Sequence, residues 1–186
     1  GWRNPYTTNE QTRGYFSFWP QVEMGEAESS KFDVRIAFEH GANAFPVPQR
    51  GLVSMSRGHH WVFEDCEFRH ANGVALDIGA QDWDMETPAV VGHAVVRRCH
   101  VEDAGVCGIA GMAVQNTLIE WNLIERVGHQ DVELAWETGG IKLHATKNCL
   151  IRGNVIRHTL HAEAIWLDYE NSNTRVTGNV MGDNLE

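Results

Sequence analysis

Apolar residues alternate with other residues in many short stretches of this chain. Residues 32–38, for example, read Phe-Asp-Val-Arg-Ile-Ala-Phe, with an apolar residue at every second position. A period of two predicts β-strands that bury one face. The 3.6-residue spacing of a helix is absent from these stretches, and turn residues such as Gly, Asn and Asp separate many of them. The pattern therefore predicts an all-β chain made of short strands.

One type of stretch recurs five times, and we interpret each copy as one strand. The copies share an apolar second position, and their fifth position is Cys in the first two and Asn in the last three. They begin at Val62, Val95, Leu118, Leu150 and Arg175. Asn side chains stacked on successive turns can pass amide hydrogen bonds along the stack, and Asn also tolerates the left-handed backbone of a sharp turn. We therefore expect Asn122, Asn154 and Asn179 to form a column.

A second type of strand lies between these copies and starts with a small residue. Its five copies cover residues 51–55, 73–77, 108–112, 140–144 and 164–168. Their starts lie 22 to 35 residues apart, so a basic repeat of about 22 to 24 residues carries loop insertions. Such a period is typical of a solenoid. Two strands per repeat, with room for a third, favour a right-handed parallel β-helix over a leucine-rich repeat, whose Leu-x-x-Leu-x-Leu scaffold is missing.

The predicted fold is therefore all-β, a right-handed parallel β-helix of the pectate-lyase-like kind, over residues 32–186. Residues 1–31 are polar and irregular, and we expect them to form a peripheral segment. We also expect the solenoid to be truncated at both ends. An uncapped last turn would associate with a second copy of the chain, giving a homo-oligomer, or with the rest of a longer parent chain.

The chemistry concentrates on the last two copies of the second strand type. Their second and fourth positions are apolar and point inward, so the third and fifth point outward. In a parallel stack each residue lies about 4.8 Å from its counterpart on the next turn. We therefore expect one outward column of third positions and one of fifth positions. The first contains Ala75, Ala110, Lys142 and Trp166, and the second contains Asp77, Met112, His144 and Asp168.

This outer face is the candidate carbohydrate site. Trp166 would stack on a sugar ring, and Lys142 would keep Asp168 charged. Trp136 and Glu137 precede the Lys142 strand, so we expect them at the rim, with Glu137 and Asp168 as an acid pair. The alternatives are an ion pair on a solvated face, a loop that covers Trp166, and a His144 without a role.

The amino-acid composition limits the classes of partner that the chain could bind. The net charge of −10 argues against a nucleic-acid partner, which needs clustered Lys and Arg, while seven Trp and eighteen Gly suit sugar stacking and tight turns. No apolar run is long enough to cross a membrane. We expect no cofactor and no metal: residues 82–86 lack the ordered spacing of a calcium loop, and His59, His60, His158 and His161 are interpreted as surface or turn residues.

The four cysteines and the start of the chain bear on its location. None of the cysteines forms a CxxC pair, which argues against a zinc ribbon. Three of the four lie inside or at the edge of apolar strand patterns, and we interpret these as free buried thiols. The chain begins Gly-Trp-Arg without a Met or an apolar signal segment, and we expect a processed chain or a fragment. The compartment, cytoplasmic or secreted, stays open.

With these residues aligned, the chain resembles the β-helix glycosidases of glycoside hydrolase family 120, the β-xylosidase group. The resemblance runs from residue 32 to the end of the chain and is most specific at residues 137–144, 146–154, 165–168 and 173–179. It implies that Asp168 is the catalytic nucleophile and Glu137 a substrate-binding acid. The family's acid/base Glu would fall beyond Glu186, and its β-sandwich is absent, so the isolated chain is expected to lack part of the site.

The resemblance implies a retaining glycoside hydrolase that acts on xylosides or related plant oligosaccharides. Carboxyls on adjacent turns would lie near the ~5–5.5 Å separation of retaining enzymes. A polysaccharide lyase or uronate epimerase on the same fold is an alternative, with Lys142 or His144 as base, although the face is weakly basic for a polyuronate. A non-catalytic carbohydrate-binding β-helix is the third hypothesis.

Overall fold

The computed structural model describes residues 51–55, 58–79, 92–129 and 138–185. These residues form fifteen short strands, and none of them lies in a helix. The irregular segment predicted at 1–31 and the strand predicted at 32–38 lie outside the described residues. The all-β prediction is confirmed.

The strands form three five-stranded sheets, and every pairing between neighbours is parallel. The first sheet contains β1 (Gly51–Ser54), β4 (Val74–Asp77), β7 (Cys107–Met112), β10 (Gly139–His144) and β13 (Ile165–Leu167). The second contains β2 (Val62–Glu64), β5 (Val95–Arg97), β8 (Leu118–Glu120), β11 (Leu150–Arg152) and β14 (Arg175–Thr177). The third contains β3 (Glu67–Arg69), β6 (His100–Glu102), β9 (Leu123–Val127), β12 (Val155–Thr159) and β15 (Val180–Gly182).

The chain visits the three sheets in the same order on every turn, which defines a parallel β-helix with three strands per turn. The predicted solenoid is confirmed, and the third sheet fills the room left for a third strand. Apolar side chains from all three sheets meet in the interior, where Ile119, Ile124 and Ile141 are 0% exposed. Burying each such side chain contributes about 1.5–3 kcal/mol.

The prediction that the first type of stretch is a single strand is wrong. Each copy contains two strands, which belong to the second and third sheets and are separated by a corner. The fourth residue of each copy occupies the left-handed region, with φ of 54° at Asp65, 50° at Arg98 and 57° at Trp121. Gly153 and Gly178 adopt φ of 64° at the same position. The left-handed residue turns the chain by a sharp angle, which ends one strand and begins the next.

The predicted Asn column is confirmed. The side-chain amide of Asn122 donates to Oδ1 of Asn154 at 2.9 Å, and that of Asn154 donates to Oδ1 of Asn179 at 2.9 Å. Asn122 and Asn154 are 1% and 0% exposed. The left-handed residue is the one before each Asn, so the column stabilises stacking between turns and does not itself supply the turn conformation.

The predicted alignment of the early turns is wrong by one or two residues. Leu76 pairs with Ile109 and Asp77 with Ala110, whereas the sequence alignment set Asp77 opposite Met112 and Ala75 opposite Ala110. β1 is shifted as well, because Gly51 pairs with Val74. Matching the glycines at the strand starts gave the wrong register. At β1 the predicted register differs by one residue, which would have moved inward apolar side chains to the outer face and cost their burial. The two-residue difference at β4 leaves the faces unchanged, so apolar spacing does not distinguish the two registers there.

Candidate functional site

The structure brings together four of the predicted site residues at the first sheet. Lys142 on β10 pairs with Trp166 on β13, and His144 is the last residue of β10. Asp168 directly follows β13, and its backbone N–H donates to the carbonyl of Leu143 at 2.9 Å. Trp136 and Glu137 lie outside the described residues. The register of the last two turns was therefore predicted correctly.

The Asp168 carboxylate is held by three contacts. Its Oδ2 lies 3.5 Å from Nζ of Lys142 and 3.4 Å from Nδ1 of His144. Its Oδ1 accepts a hydrogen bond from the Tyr169 backbone N–H at 2.8 Å. The Asp168 side chain is 31% exposed. An oriented carboxylate that solvent can still reach is the arrangement that a nucleophile or a general base requires.

Lys142 and His144 do not lie on a solvated face, which corrects one alternative considered from the sequence. Both residues point away from the core, yet each is only 1% exposed. Nζ of Lys142 lies 3.1 Å from the centroid of the Trp166 ring, which is a close cation–π contact. A buried ammonium needs such partners to offset its lost hydration. Lys142 therefore links the aromatic ring and the carboxylate on the next turn.

Tyr169 belongs to the same cluster and was missed from the sequence. Its ring centroid lies 5.3 Å from that of His144, and its hydroxyl donates to Sδ of Met112 at 3.9 Å. Its carbonyl accepts from the Ala145 N–H at 2.9 Å. Tyr169 thus packs over the imidazole that contacts Asp168. The sequence feature that could have identified Tyr169 as part of the site is its position directly after Asp168, where the strand ends and the backbone turns.

The corrected register removes Asp77 from the column of Asp168. Asp77 instead belongs to the column that contains Lys142. It pairs with Ala110 on the next turn of the β-helix, and Ala110 in turn pairs with Lys142. Asp77 is 2% exposed, and its Oδ1 accepts from the Gly79 N–H at 3.0 Å. Gly79 lies against Met112 so closely that an added Cβ would lie 2.1 Å from the Met112 nitrogen. The predicted Asp77–Met112 alignment is therefore wrong.

A second polar cluster, on the third sheet, contains His100, Glu102 and Glu125, whose ligand-type atoms lie within 4.8 Å of one another. Nη2 of Arg69 lies 3.4 Å from Nδ1 of His100. A guanidinium only donates, so Nδ1 accepts and Nε2 carries the proton that is donated to Glu125 at 2.9 Å. The lone pair on Nδ1 of His100 therefore accepts a hydrogen bond from Arg69 and is not available to a metal ion. We interpret the cluster as an ion-pair network rather than a metal centre.

Glu125 shows how strongly this network is coupled. Burial alone would raise the pKa of its carboxyl, but hydrogen bonds from Arg157 and His100 outweigh burial and lower the pKa below its usual value. Arg157 donates to Oε2 of Glu125 through Nε at 2.8 Å and lies within 2.7 Å through Nη2. Both nitrogens contact the same carboxylate oxygen, and this charge-assisted contact bridges β9 and β12 and stabilises the stack of turns.

Three of the four cysteines are buried, as predicted, and all four are free thiols. Cys66 is only half-buried. Burial raises the pKa of the Cys66 and Cys149 thiols, and it raises that of Cys99 to about 11. Cys66 and Cys99 occupy the column that continues as Asn122, and the backbone N–H of Cys99 donates to Oδ1 of Asn122 at 2.9 Å. They have a structural role rather than a nucleophilic one.

All four predicted surface or turn histidines lie among the described residues. His59 and His60 are exposed, while His158 and His161 are half-buried, His158 at a left-handed corner with φ of 58°. The segment considered for calcium, residues 82–86, lies outside the described residues. No helix in the described part of the chain is long and apolar enough to cross a membrane.

The fold and the cluster at Asp168 define a parallel β-helix with a polar site on its first sheet. A family model described as "Right handed beta helix region" matches residues 43–185, and the chain belongs to this family. The chain is also similar to a solved structure described as the complex structure of XylC with xylose, at 24% identity and a TM-score of 0.64. That match covers 74% of this chain and 26% of the XylC chain. A search of curated proteins finds no match.

Proposed function

We propose that this chain carries the nucleophile of a retaining glycoside hydrolase that acts on xylosides or related plant oligosaccharides. Asp168 would attack the anomeric carbon and form a glycosyl-enzyme intermediate. The observation that carries the proposal is the Asp168 carboxylate itself, which is solvent-accessible and oriented by Lys142, His144 and a backbone N–H. The xylose ligand of the similar XylC structure supports a sugar as the ligand.

Lys142 positions both partners of the proposed reaction. Its buried ammonium contacts one face of the Trp166 ring and the Asp168 carboxylate. A sugar would therefore pack against the remaining exposed part of Trp166, with its anomeric carbon toward Asp168. Because the ammonium is held by contacts on two sides, the carboxylate keeps one orientation during attack, which lowers the entropic cost of reaching the transition state.

The proton donor for the leaving group must come from another carboxylic acid. The described side chains that form ion pairs with Asp168 are Lys142 and His144, and both are cationic or neutral groups rather than acids. The resemblance in sequence to glycoside hydrolase family 120 suggests a Glu on the turn that follows Asp168, and Glu137 is the other candidate. The chain spans only 26% of the XylC chain, so the activity of the whole protein is part of this proposal.

The burial of Lys142 and His144 disfavours the lyase or epimerase alternative. A catalytic base must reach a proton on the substrate, but both side chains are 1% exposed. Nζ of Lys142 is also engaged with Trp166 and Asp168. An absorbance rise from unsaturated products on pectate or alginate would support the alternative, and we expect none.

Covalent trapping tests the proposal. The full-length protein is incubated with 2,4-dinitrophenyl 2-deoxy-2-fluoro-β-xyloside, and the labelled peptide is identified by mass spectrometry. We expect the label on Asp168 and no label in Asp168→Asn. Glu170→Gln is the matched control, because Glu170 is an exposed carboxylate two residues away, and it should label normally. Labelling of Asp168→Asn would contradict the proposal, and sugar binding without labelling of the unaltered protein would favour a non-catalytic binding function.

A further inference from the structure

A groove with a volume of about 780 Å³ lies away from the Asp168 cluster, where the chain leaves the third sheet. Its lining includes one residue from each of four successive turns, each at the fourth position counted from the start of β3, β6, β9 or β12. These residues are His70, Asp103, Arg126 and His158. The first two of these residues directly follow their strands, and the other two lie within theirs. Asn72 and Leu160 also line the groove.

The four residues form a straight column because their backbones are alike. Their φ angles are 57°, 55°, 53° and 58° in the left-handed region, and the three residues before each of them pair in register from turn to turn. The groove therefore runs parallel to the axis of the β-helix. Polar side chains recur along it at intervals of about 4.8 Å, the spacing of adjacent strands.

The polar groups of the groove are held in place before any ligand arrives. Nε of Arg126 donates to Oδ1 of Asp103 at 2.9 Å, and Oδ2 of Asp103 lies 3.4 Å from Nδ1 of His70. The Arg126 and Asp103 side chains are 44% and 31% exposed, so solvent reaches both. Leu160 adds an apolar surface that is 48% exposed. A rigid row of donors and acceptors beside an apolar patch suits a polyhydroxylated ring, which has polar edges and apolar faces.

The charges favour a neutral ligand. The guanidinium of Arg126 already pairs with Asp103 and Glu102, so little positive charge is left for a polyanion. The net charge of −10 opposes acidic polysaccharides as well. A β-1,4-linked pyranose chain advances by nearly one rung spacing per sugar, so successive sugars would meet successive turns.

We propose that this groove is a second carbohydrate-binding site, which holds a neutral β-linked oligosaccharide parallel to the β-helix axis. The site is separate from Asp168, and it requires no reaction there. Each sugar would contact one of the left-handed residues His70, Asp103, Arg126 and His158, while Leu160 would pack against a ring face.

The test uses a matched pair of arginines. Arg98 has the same corner conformation as Arg126, with φ of 50°, and its Nε donates to Asp65 at the same 2.9 Å, but it lies at the corner between the second and third sheets. Its side chain is 46% exposed, against 44% for Arg126. Gly is the suitable replacement at both positions, because it accepts a positive φ.

Binding of xylotetraose is measured by calorimetry on full-length protein carrying Asp168→Asn, which stops turnover, and the contact surface is mapped by NMR. We expect Arg126→Gly to weaken binding at least tenfold and Arg98→Gly to change it less than twofold, while both variants lose similar stability. We also expect Leu160→Asp, an exposed change, to weaken binding severalfold. Shifts should appear at Asn72, Arg126 and His158.

Three results would overturn the proposal. They are an absence of xylotetraose binding, equal effects of the two arginine variants, and shifts confined to the surroundings of Trp166. Tighter binding of tetragalacturonate than of xylotetraose would contradict the neutral ligand class. Failure of the covalent trapping at Asp168 would leave these results unaffected, so the two proposals are tested separately.

Discussion

The ammonium group of Lys142 lies 3.1 Å from the centroid of the Trp166 ring and 3.5 Å from Oδ2 of Asp168. One buried cation thus connects the aromatic ring and the carboxylate of the proposed active site. Lys142 and Trp166 are paired across adjacent turns, so the stacking of the β-helix itself sets this geometry.

Lys142→Met should therefore lower kcat by about 100-fold, a loss typical of removing one electrostatic group from an active site. The thioether chain fills the same space but leaves Asp168 with only His144 and a backbone N–H. Because Asp168 is 31% exposed, the loss of stability should be modest, about 1–3 kcal/mol. Steady-state kinetics on an aryl xyloside and urea unfolding measure both effects. Lys147→Met, at an exposed position, is the control and should change neither.

Asn154→Ala should destabilise the fold by about 2–4 kcal/mol, because it leaves buried partners without hydrogen bonds. Oδ1 of Asn154 accepts from the side chain and the backbone of Asn122, and its amide donates to Ile119 and Asn179. The free energy of unfolding in urea measures the effect.

Asn148→Gly is the matched control for the buried column. Asn148 also bridges two asparagines, with bonds of 3.1 and 2.8 Å to Asn116 and Asn173, but it lies at an exposed left-handed corner. Water can replace those bonds, and Gly accepts the conformation, so the loss should stay below about 1 kcal/mol. Equal losses of unfolding free energy in the two variants would show that burial of the Asn column does not increase its contribution to stability.

Cys99 should react slowly with iodoacetamide at pH 8, because the thiolate is the reactive form and burial raises the pKa of this thiol to about 11. The raised pKa also makes stability depend on pH. Its contribution is fully present below the unfolded pKa of about 8.5 and is lost as the pH rises toward 11. Unfolding measured from pH 8 to 11 should show this decline, and Cys99→Ala should show less of it. Rapid labelling of folded protein would contradict the burial of Cys99.

Glu125 should make the stability of the fold fall at acid pH. Its pKa is lowered in the folded chain, chiefly by Arg157 and His100 acting against the effect of burial. The contribution is therefore present above the unfolded pKa of about 4.3 and is lost as the pH falls through the lower, folded value. Glu125→Gln should flatten the stability profile below pH 5. An unchanged profile would mean that the ion-pair network does not stabilise the folded state.

The repeat made most of the fold predictable, because inward apolar residues and the Asn column recur at a fixed position of each turn. The corner inside each copy was not predictable from apolar spacing. Asp65, Arg98 and Trp121 adopt left-handed backbones although none of them is a Gly or an Asn. Parallel stacking imposes the same corner on every turn, so tertiary structure overrides the local preference of these residues.

The candidate site was predictable where the repeat is regular. Lys142 and Trp166 were paired correctly because the last two turns carry clear apolar positions. Asp77 was misplaced because the two turns around it are separated by a long insertion, and strand-initial glycines gave the wrong register. The burial of Lys142 and the packing of Tyr169 over His144 depend on contacts across the face of the sheet, which the period of the sequence does not encode.

Chemical rescue of Asp168→Gly tests the central claim most directly. Azide is added to the full-length variant with 2,4-dinitrophenyl β-xyloside, and the product is identified by NMR. If Asp168 is the nucleophile, azide fits the vacated space, restores turnover and gives the α-xylosyl azide, because the external nucleophile attacks from the same side as the lost carboxylate. A β-xylosyl azide would assign Asp168 to acid/base catalysis, and an absence of rescue alongside normal activity of the variant would contradict any catalytic role.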